Sequence, residues 1–291
     1  MRIGTLEGRA VLIDGDLALD IERASGGRFA ADPNAIYDQW AAFADWGRHQ
    51  VVAASEAVPY EPSLLGPVVP RPPQILAVGL NYADHAAEAD MALPENPLVF
   101  TKFASSLAGP DVDVELSGDT VDWEIELVVV IGVGGRDIPI QRGWDHVAGL
   151  AVGQDLSDRT VQFWGSPPQF NLGKSLRNFA PVGPAVVTVD ELDAAGLDRD
   201  DLALRCRVIE VDGSERVVQE SRTSRLIFPV AELVARLSAI VELLPGDLIF
   251  TGTPAGVGFG RTPREYLSAG QTLVSEIEGL GSIRQRFVAK A

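Results

Sequence analysis

Asp122-Trp123-Glu124-Ile125-Glu126-Leu127-Val128-Val129-Val130-Ile131 joins an alternating acidic segment to an unbroken apolar one. Side chains on a β-strand alternate between its two faces. The acids Asp122, Glu124 and Glu126 therefore share one face, and Trp123, Ile125 and Leu127 take the other. Like charges at this spacing repel one another, and the run leads directly into a buried strand, so something has to compensate them. A divalent cation does so directly, because hard Mg²⁺, Mn²⁺ or Ca²⁺ prefers carboxylate oxygen. A solvated strand face is the alternative. The stretch predicts a strand over 121–133 within a mostly β protein.

The flanking sequence extends that picture. Residues 1–25 read as a short β-meander, with Asp14-Gly15 as the hairpin turn between two apolar runs. Ile36, Trp40 and Phe43 have helical spacing. Residues 57–74 hold Pro59, Pro62, Pro67, Pro70, Pro72 and Pro73 and read as an extended linker, since proline continues neither a helix nor a central strand. Beyond it, strands are expected over 75–79, 146–155, 202–211, 215–220, 247–251 and 271–278, with helices over 81–91 and 230–237. The expected organisation is a small N-terminal α/β module and linker over residues 1–70, followed by a catalytic domain over 71–291 of α+β, mostly β, class.

Composition narrows the function. The chain has 291 residues, 24 basic and 41 acidic, for a net charge of −17. This balance argues against nucleic-acid binding, which needs clustered Lys and Arg. A hydrophobic content of 46% with only 22% charged residues supports a sizeable core and excludes a disordered chain. The single cysteine, Cys206, rules out an intrachain disulfide and a thiolate metal cluster, and its alternating surroundings place it on a buried strand. The longest apolar run, 127–134, is far short of the roughly 20 residues of a membrane helix. Met1 to Thr5 lack the apolar start of a signal peptide. The expectation is a cytoplasmic protein with no membrane partner.

Several nucleotide and nucleophile motifs fail. The stretch from Gly132 has Asp137 where a dinucleotide fingerprint needs glycine, and Gly173-Lys174-Ser175 has Pro168 where a phosphate loop needs its first glycine. Two further groups stand beside the acidic strand. In Asn81-Tyr82-Ala83-Asp84-His85-Ala86-Ala87-Glu88, His85 and Glu88 are helical neighbours, the arrangement of a carboxylate-oriented general base or of a solvated pair. In Gln154-Asp155-Leu156-Ser157-Asp158-Arg159-Thr160-Val161-Gln162, an acid at a strand end lies beside Arg and Gln; it suits a metal ligand with an anion clamp, or an ordinary helix cap.

In order along the chain, Asn81-Tyr82-x-x-His85-x-x-Glu88, Glu124-x-Glu126, Asp155-x-x-x-Arg159-x-x-Gln162, Lys174-Ser175 and the run Pro245 to Gly258 together resemble the fumarylacetoacetate hydrolase family. The resemblance covers residues 75–288 and is nearest to the bacterial acylpyruvase-like and 2-hydroxyhepta-2,4-diene-1,7-dioate isomerase-like branch. It implies a mixed β-roll fold, a homodimer, and Mg²⁺ or Mn²⁺, with Ca²⁺ as a further option, held by Glu124, Glu126 and Asp155. It also implies His85, Glu88 and Lys174 as catalytic residues, with His85 and Glu88 on a mobile lid helix. Asn81, Arg159, Gln162 and Thr253 fall at substrate-binding positions, and the substrate is a small oxo acid. Asp158, Thr160 and Arg177 depart from the family pattern.

On this reading the activity is metal-dependent hydrolysis of a carbon–carbon bond in a 2,4-dioxo acid, with His85 activating water and an enolate leaving. Decarboxylation of an oxaloacetate-type acid or isomerisation of an unsaturated dioic acid would use the same site. A non-catalytic metal-dependent oxo-acid binding protein is the alternative from another class.

Overall fold

The computed structural model describes residues 1–88 and 92–290. Its centre is β10 (Ile125–Ile131), buried along its whole length, antiparallel to β11 (Val147–Gln154) on one side and β16 (Leu248–Phe250) on the other. A strand buried on both faces needs apolar side chains on both, which is why 127–131 contains no polar residue. The odd-numbered side chains, Trp123 through Ile131, enter one core cluster; Val128 and Val130 enter a second on the opposite face.

The large sheet is completed beyond β16 by β5 (Ile75–Gly79) and the edge strand β6 (Leu98–Thr101). Beyond β11 come β13 (Ala180–Val187), then β1 (Arg2–Leu6), β2 (Arg9–Asp14), β3 (Leu17–Asp20) and β4 (Val58–Pro59). The N-terminal meander is thus continuous with the main sheet through pairing of Ile3 with Val186. A short strand, β7 (Leu107–Ala108), pairs with β13 off this path.

A second, five-stranded sheet covers the odd-numbered face, in the order β15 (Glu215–Arg222), β14 (Ala203–Ile209), β17 (Thr272–Ile277), β18 (Gly281–Val288) and β8 (Asp111–Glu115). Leu204, Cys206 and Val208 alternate into the core between the two sheets. Burial pushes the Cys206 thiol up to about 12, so it is an inert core residue. The helix Val230–Ser238 packs Leu233, Val234 and Leu237 into the same core. Among the described residues no helix is long and apolar enough to cross a membrane.

The expected strand over 121–133 is two strands. β9 (Val121–Asp122) turns away to pair with β12 (Ser157–Asp158), and β10 resumes at Ile125. The expected helix over 81–91 is observed as Ala83–Glu88; its last three residues lie outside the described ones. The local pattern gives no sign of β13, because Pro181 and Pro184 lack the N–H a central strand donates. The sheet accommodates them by shifting register: Val187 pairs with Leu150, and pairing resumes at Gly183 with Val152.

Candidate active site

The site is built where β10 and β11 begin and end side by side. Glu124 and Glu126 leave the N-terminal end of β10, and Asp155 follows the last residue of β11, its N–H donating to the Glu124 carbonyl at 2.9 Å. One ligand oxygen from each of Glu124, Glu126 and Asp155 lies within 4.8 Å of the others, and all three residues are buried. The even-numbered face that is apolar at Val128 becomes acidic at Glu126.

Cations surround this cluster unevenly. The Lys174 ammonium donates to Glu124 at 2.6 Å, Asp155 at 2.7 Å and the Ser157 hydroxyl at 2.9 Å. Lys102, with no exposed side-chain surface, donates to the other Asp155 oxygen at 2.5 Å and to the Lys174 carbonyl. Arg159 reaches Glu124 at 2.8 Å and Asp122 at 2.7 Å. Among the described residues Glu126 receives only the Gly252 N–H, at 2.8 Å. Gly252 adopts φ +100°, and a Cβ there would lie 2.8 Å from the Asn81 Cβ, so glycine is required for this approach.

The electrostatics follow from that distribution. Burial opposes ionisation of Glu124, but Lys174 and Arg159 beside it hold its carboxyl down at about 2. Burial together with the Asp155 and Glu124 charges drives the Glu126 carboxyl well above its ordinary value. Burial likewise works against the Lys174 charge, yet Asp155 and Glu124 raise its affinity for the proton; Lys102 is lowered by burial, with the Lys174 charge acting in the same direction. Among the described residues four carboxylates, with Asp122 included, face three cations, and the one without a cation is Glu126. A hard divalent ion among Glu124, Glu126 and Asp155 would meet oxygen donors only and supply the missing positive charge. The residues present fit such an ion.

His85 stands opposite, on the helix that follows β5. Its Nδ1 lies 3.3 Å from a Glu88 oxygen, and Glu88 accepts the Gly256 N–H at 3.0 Å. The two residues therefore meet on one helix face, and Glu88 ties that helix to the loop after β16. With Nδ1 turned to Glu88, Nε2 is the ring nitrogen left for another partner.

His85, Glu124, Glu126, Arg159, Gln162, Lys174 and Thr253 all line one cavity of about 320 Å³. Their partners modify several sequence-based expectations. Asn81 does not line it: its side chain is buried and spent on backbone, donating to Phe228 and Thr251 and accepting from the Phe228 N–H, so it fixes the loop before the His85 helix. Arg159 is held by Asp122, Glu124 and the Gln162 side-chain amide oxygen, so most of its donors already serve the protein's own groups. Thr253 donates to the Ile125 carbonyl at 2.8 Å. Asp158, a departure from the family pattern, caps the helix Arg159–Gln162 by accepting the Val161 N–H, and Thr160 meets Thr120 at 2.8 Å.

Lys102 escaped the sequence reading. It follows the short apolar run 98–100 with only Thr101 between, and nothing local marks it; its partner Asp155 is 53 residues away. Asp122 was legible as one of the alternating acids, but its role as the anchor of Arg159 and acceptor of the Gly258 N–H depends on the tertiary fold.

The family model for the fumarylacetoacetate hydrolase C-terminal region matches residues 74–288. The chain belongs to the fumarylacetoacetate hydrolase family. Among similar proteins, the bovine (Bos taurus) mitochondrial oxaloacetate tautomerase FAHD2A is 41% identical over 230 residues, which are 78% of this chain and 70% of that protein. A Mycobacterium smegmatis protein provisionally described as HpcE is 49% identical and superposes with a TM-score of 0.92 over the whole of both chains. The fumarylacetoacetate hydrolase of Exiguobacterium antarcticum is 29% identical, with a TM-score of 0.81 over the whole of both chains. The similarity to these two structures thus extends over the whole chain, including the N-terminal strands outside the matched model.

Proposed function

We propose that the protein is a divalent-metal-dependent enzyme that moves a proton at the carbon next to the keto group of a 2-oxo acid, interconverting keto and enol forms. The observation that carries this reading is the placement of His85 and the Glu124–Glu126–Asp155 cluster on one cavity. Glu88 orients the His85 ring through Nδ1, leaving Nε2 to take and return the substrate proton. A divalent ion held by Glu124, Glu126 and Asp155 would supply Lewis-acid stabilisation of the oxygen that becomes negative in an enolate. Lys174 adds a fixed positive charge beside Glu124 and Asp155, and the buried setting strengthens its effect. The similarity to an oxaloacetate tautomerase at 41% identity supports proton transfer as the reaction.

Hydrolysis of a 2,4-dioxo acid is the second reading, supported by similarity to a fumarylacetoacetate hydrolase. It needs the same base, acting on water rather than carbon, and the same enolate as leaving group. Decay of the enol absorbance of oxaloacetate and cleavage of acetylpyruvate, each with Mg²⁺ and with chelator, separate these readings. Metal-dependent ketonisation without cleavage is the expected result. Metal-dependent cleavage would favour the hydrolase, and binding of both acids without turnover of either would leave only a binding protein.

A further inference from the structure

Part of the cavity wall is a row of rings. Phe100 meets Phe170 edge-on at 5.7 Å, Phe170 meets Phe163 at 6.5 Å, and Phe163 stacks on Phe259 at 5.3 Å. All four line the cavity, with Leu98 and Val257 among its other apolar lining residues. Among the described residues the only Lys and Arg lining this cavity are Lys174, 5.1 Å over the Phe100 ring, and Arg159, 5.6 Å over the Phe259 ring, and carboxylates of the protein already hold both. Arg264 stacks on Phe259 at 4.1 Å but is exposed and does not line the cavity.

Resting on the reading above, we infer that the Phe100–Phe170–Phe163–Phe259 arc is a specificity subsite for an apolar, ring-sized group. The preferred substrates are 2-oxo or 2,4-dioxo acids with such a group at the far end, and dioic acids are the poorer ones. A second carboxylate against the arc would trade water for ring faces and meet, in Lys174 and Arg159, cations already paired with the protein's own carboxylates, which carries a penalty. A phenyl group there buries its faces and edges against rings, the arrangement aromatic side chains themselves prefer.

The test uses stable mimics of the 2-oxo acid end, so that it does not depend on turnover. Binding of oxamates carrying N-phenyl, N-methyl or N-carboxymethyl groups to the Mg²⁺-loaded full chain is measured by calorimetry, with oxalate as the probe of the carboxylate end. Full burial of a ring-sized apolar group predicts the phenyl compound binding about 10- to 100-fold tighter than the methyl one. The carboxymethyl compound should bind weaker than the methyl one. Phe163→Ala should reduce the phenyl-over-methyl ratio by about tenfold, and Phe163→Arg should turn the preference toward carboxymethyl. Metal-dependent binding of all three with no phenyl preference, or with carboxymethyl tightest, overturns the subsite and leaves the reading of the metal end intact. Failure of oxalate and all three oxamates to bind overturns both.

Discussion

Replacing Glu126 by Gln separates the requirements of the metal-free protein from those of the loaded one. Without metal, Glu126 is the cluster member with no cation beside it, and its carboxyl is driven well above the usual range. It therefore holds a proton where Glu124 does not. An amide matches the protonated acid in shape and can still accept the Gly252 N–H, so the metal-free variant should lie within about 1 kcal/mol of wild type. Loading is different. At a metal concentration of about 100 times its dissociation constant, wild type gains about 2.7 kcal/mol, or roughly 5–10 °C in melting temperature at about 2–4 °C per kcal/mol. Losing one ligand weakens the ion by at least roughly 100-fold, given that even outer partners of a metal site are worth 10- to 100-fold. The same metal concentration then contributes only about 0.4 kcal/mol, a shift of about 1–2 °C. The sign with pH is fixed as well. Metal displaces the Glu126 proton, so the wild-type shift grows as pH rises toward that group's raised pKa and levels above it; the Gln variant lacks this dependence. Differential scanning calorimetry with Mg²⁺ and Mn²⁺ over a pH series measures both effects. A full metal shift in Glu126→Gln would refute the reasoning.

Two further perturbations probe the scaffold. Lys102→Met strands Asp155 against Lys174 alone and should cost about 3–5 kcal/mol, the scale for removing one partner of a buried pair; Arg205→Met, at the exposed Arg205–Glu220 pair, should not measurably lower the urea midpoint. Equal losses from the two variants would remove Lys102 from the framework of the site. Asp247, buried with one oxygen lacking a partner, has its carboxyl raised to about 6 by burial. The folded state then holds a proton that the unfolded chain releases nearer 3.8, so this group's contribution to stability falls as pH rises from about 4 to 6 and is flat above. Stability curves of Asp247→Asn and wild type should diverge across that window; parallel curves would contradict the assignment.

The parts of this site that were legible in sequence are those set by local period. Glu124 and Glu126 alternate at the start of β10, His85 and Glu88 share a helix face, and Asp155 follows directly on a strand. None of these depends on a distant contact to be recognised. Lys102 and the Asp122–Arg159 pair were less accessible, because each acquires its meaning only when segments 53 and 37 residues apart are folded together. Asn81 is a different case: its place in a motif suggested a substrate-binding position, and in the fold its amide donates to the Phe228 and Thr251 backbone, contacts that local pattern does not announce. In the fold, β13 was hidden by Pro181 and Pro184, whose missing N–H groups are tolerated by a register shift that no local pattern announces. The arc of four rings spans residues 100 to 259 and likewise exists only in three dimensions.

Proton exchange at the carbon next to the keto group tests the central claim whatever the later fate of the enolate. 2-Oxobutanoate in D₂O, monitored by proton NMR, should lose its C3 protons to solvent deuterium in the presence of the Mg²⁺-loaded protein. Chelator should abolish the acceleration, and His85→Ala should reduce it by about a hundredfold or more, the scale of general acid–base catalysis. Exchange no faster than in buffer, with protein that binds oxalate in a metal-dependent way, would contradict the account; so would His85→Ala exchanging at the wild-type rate.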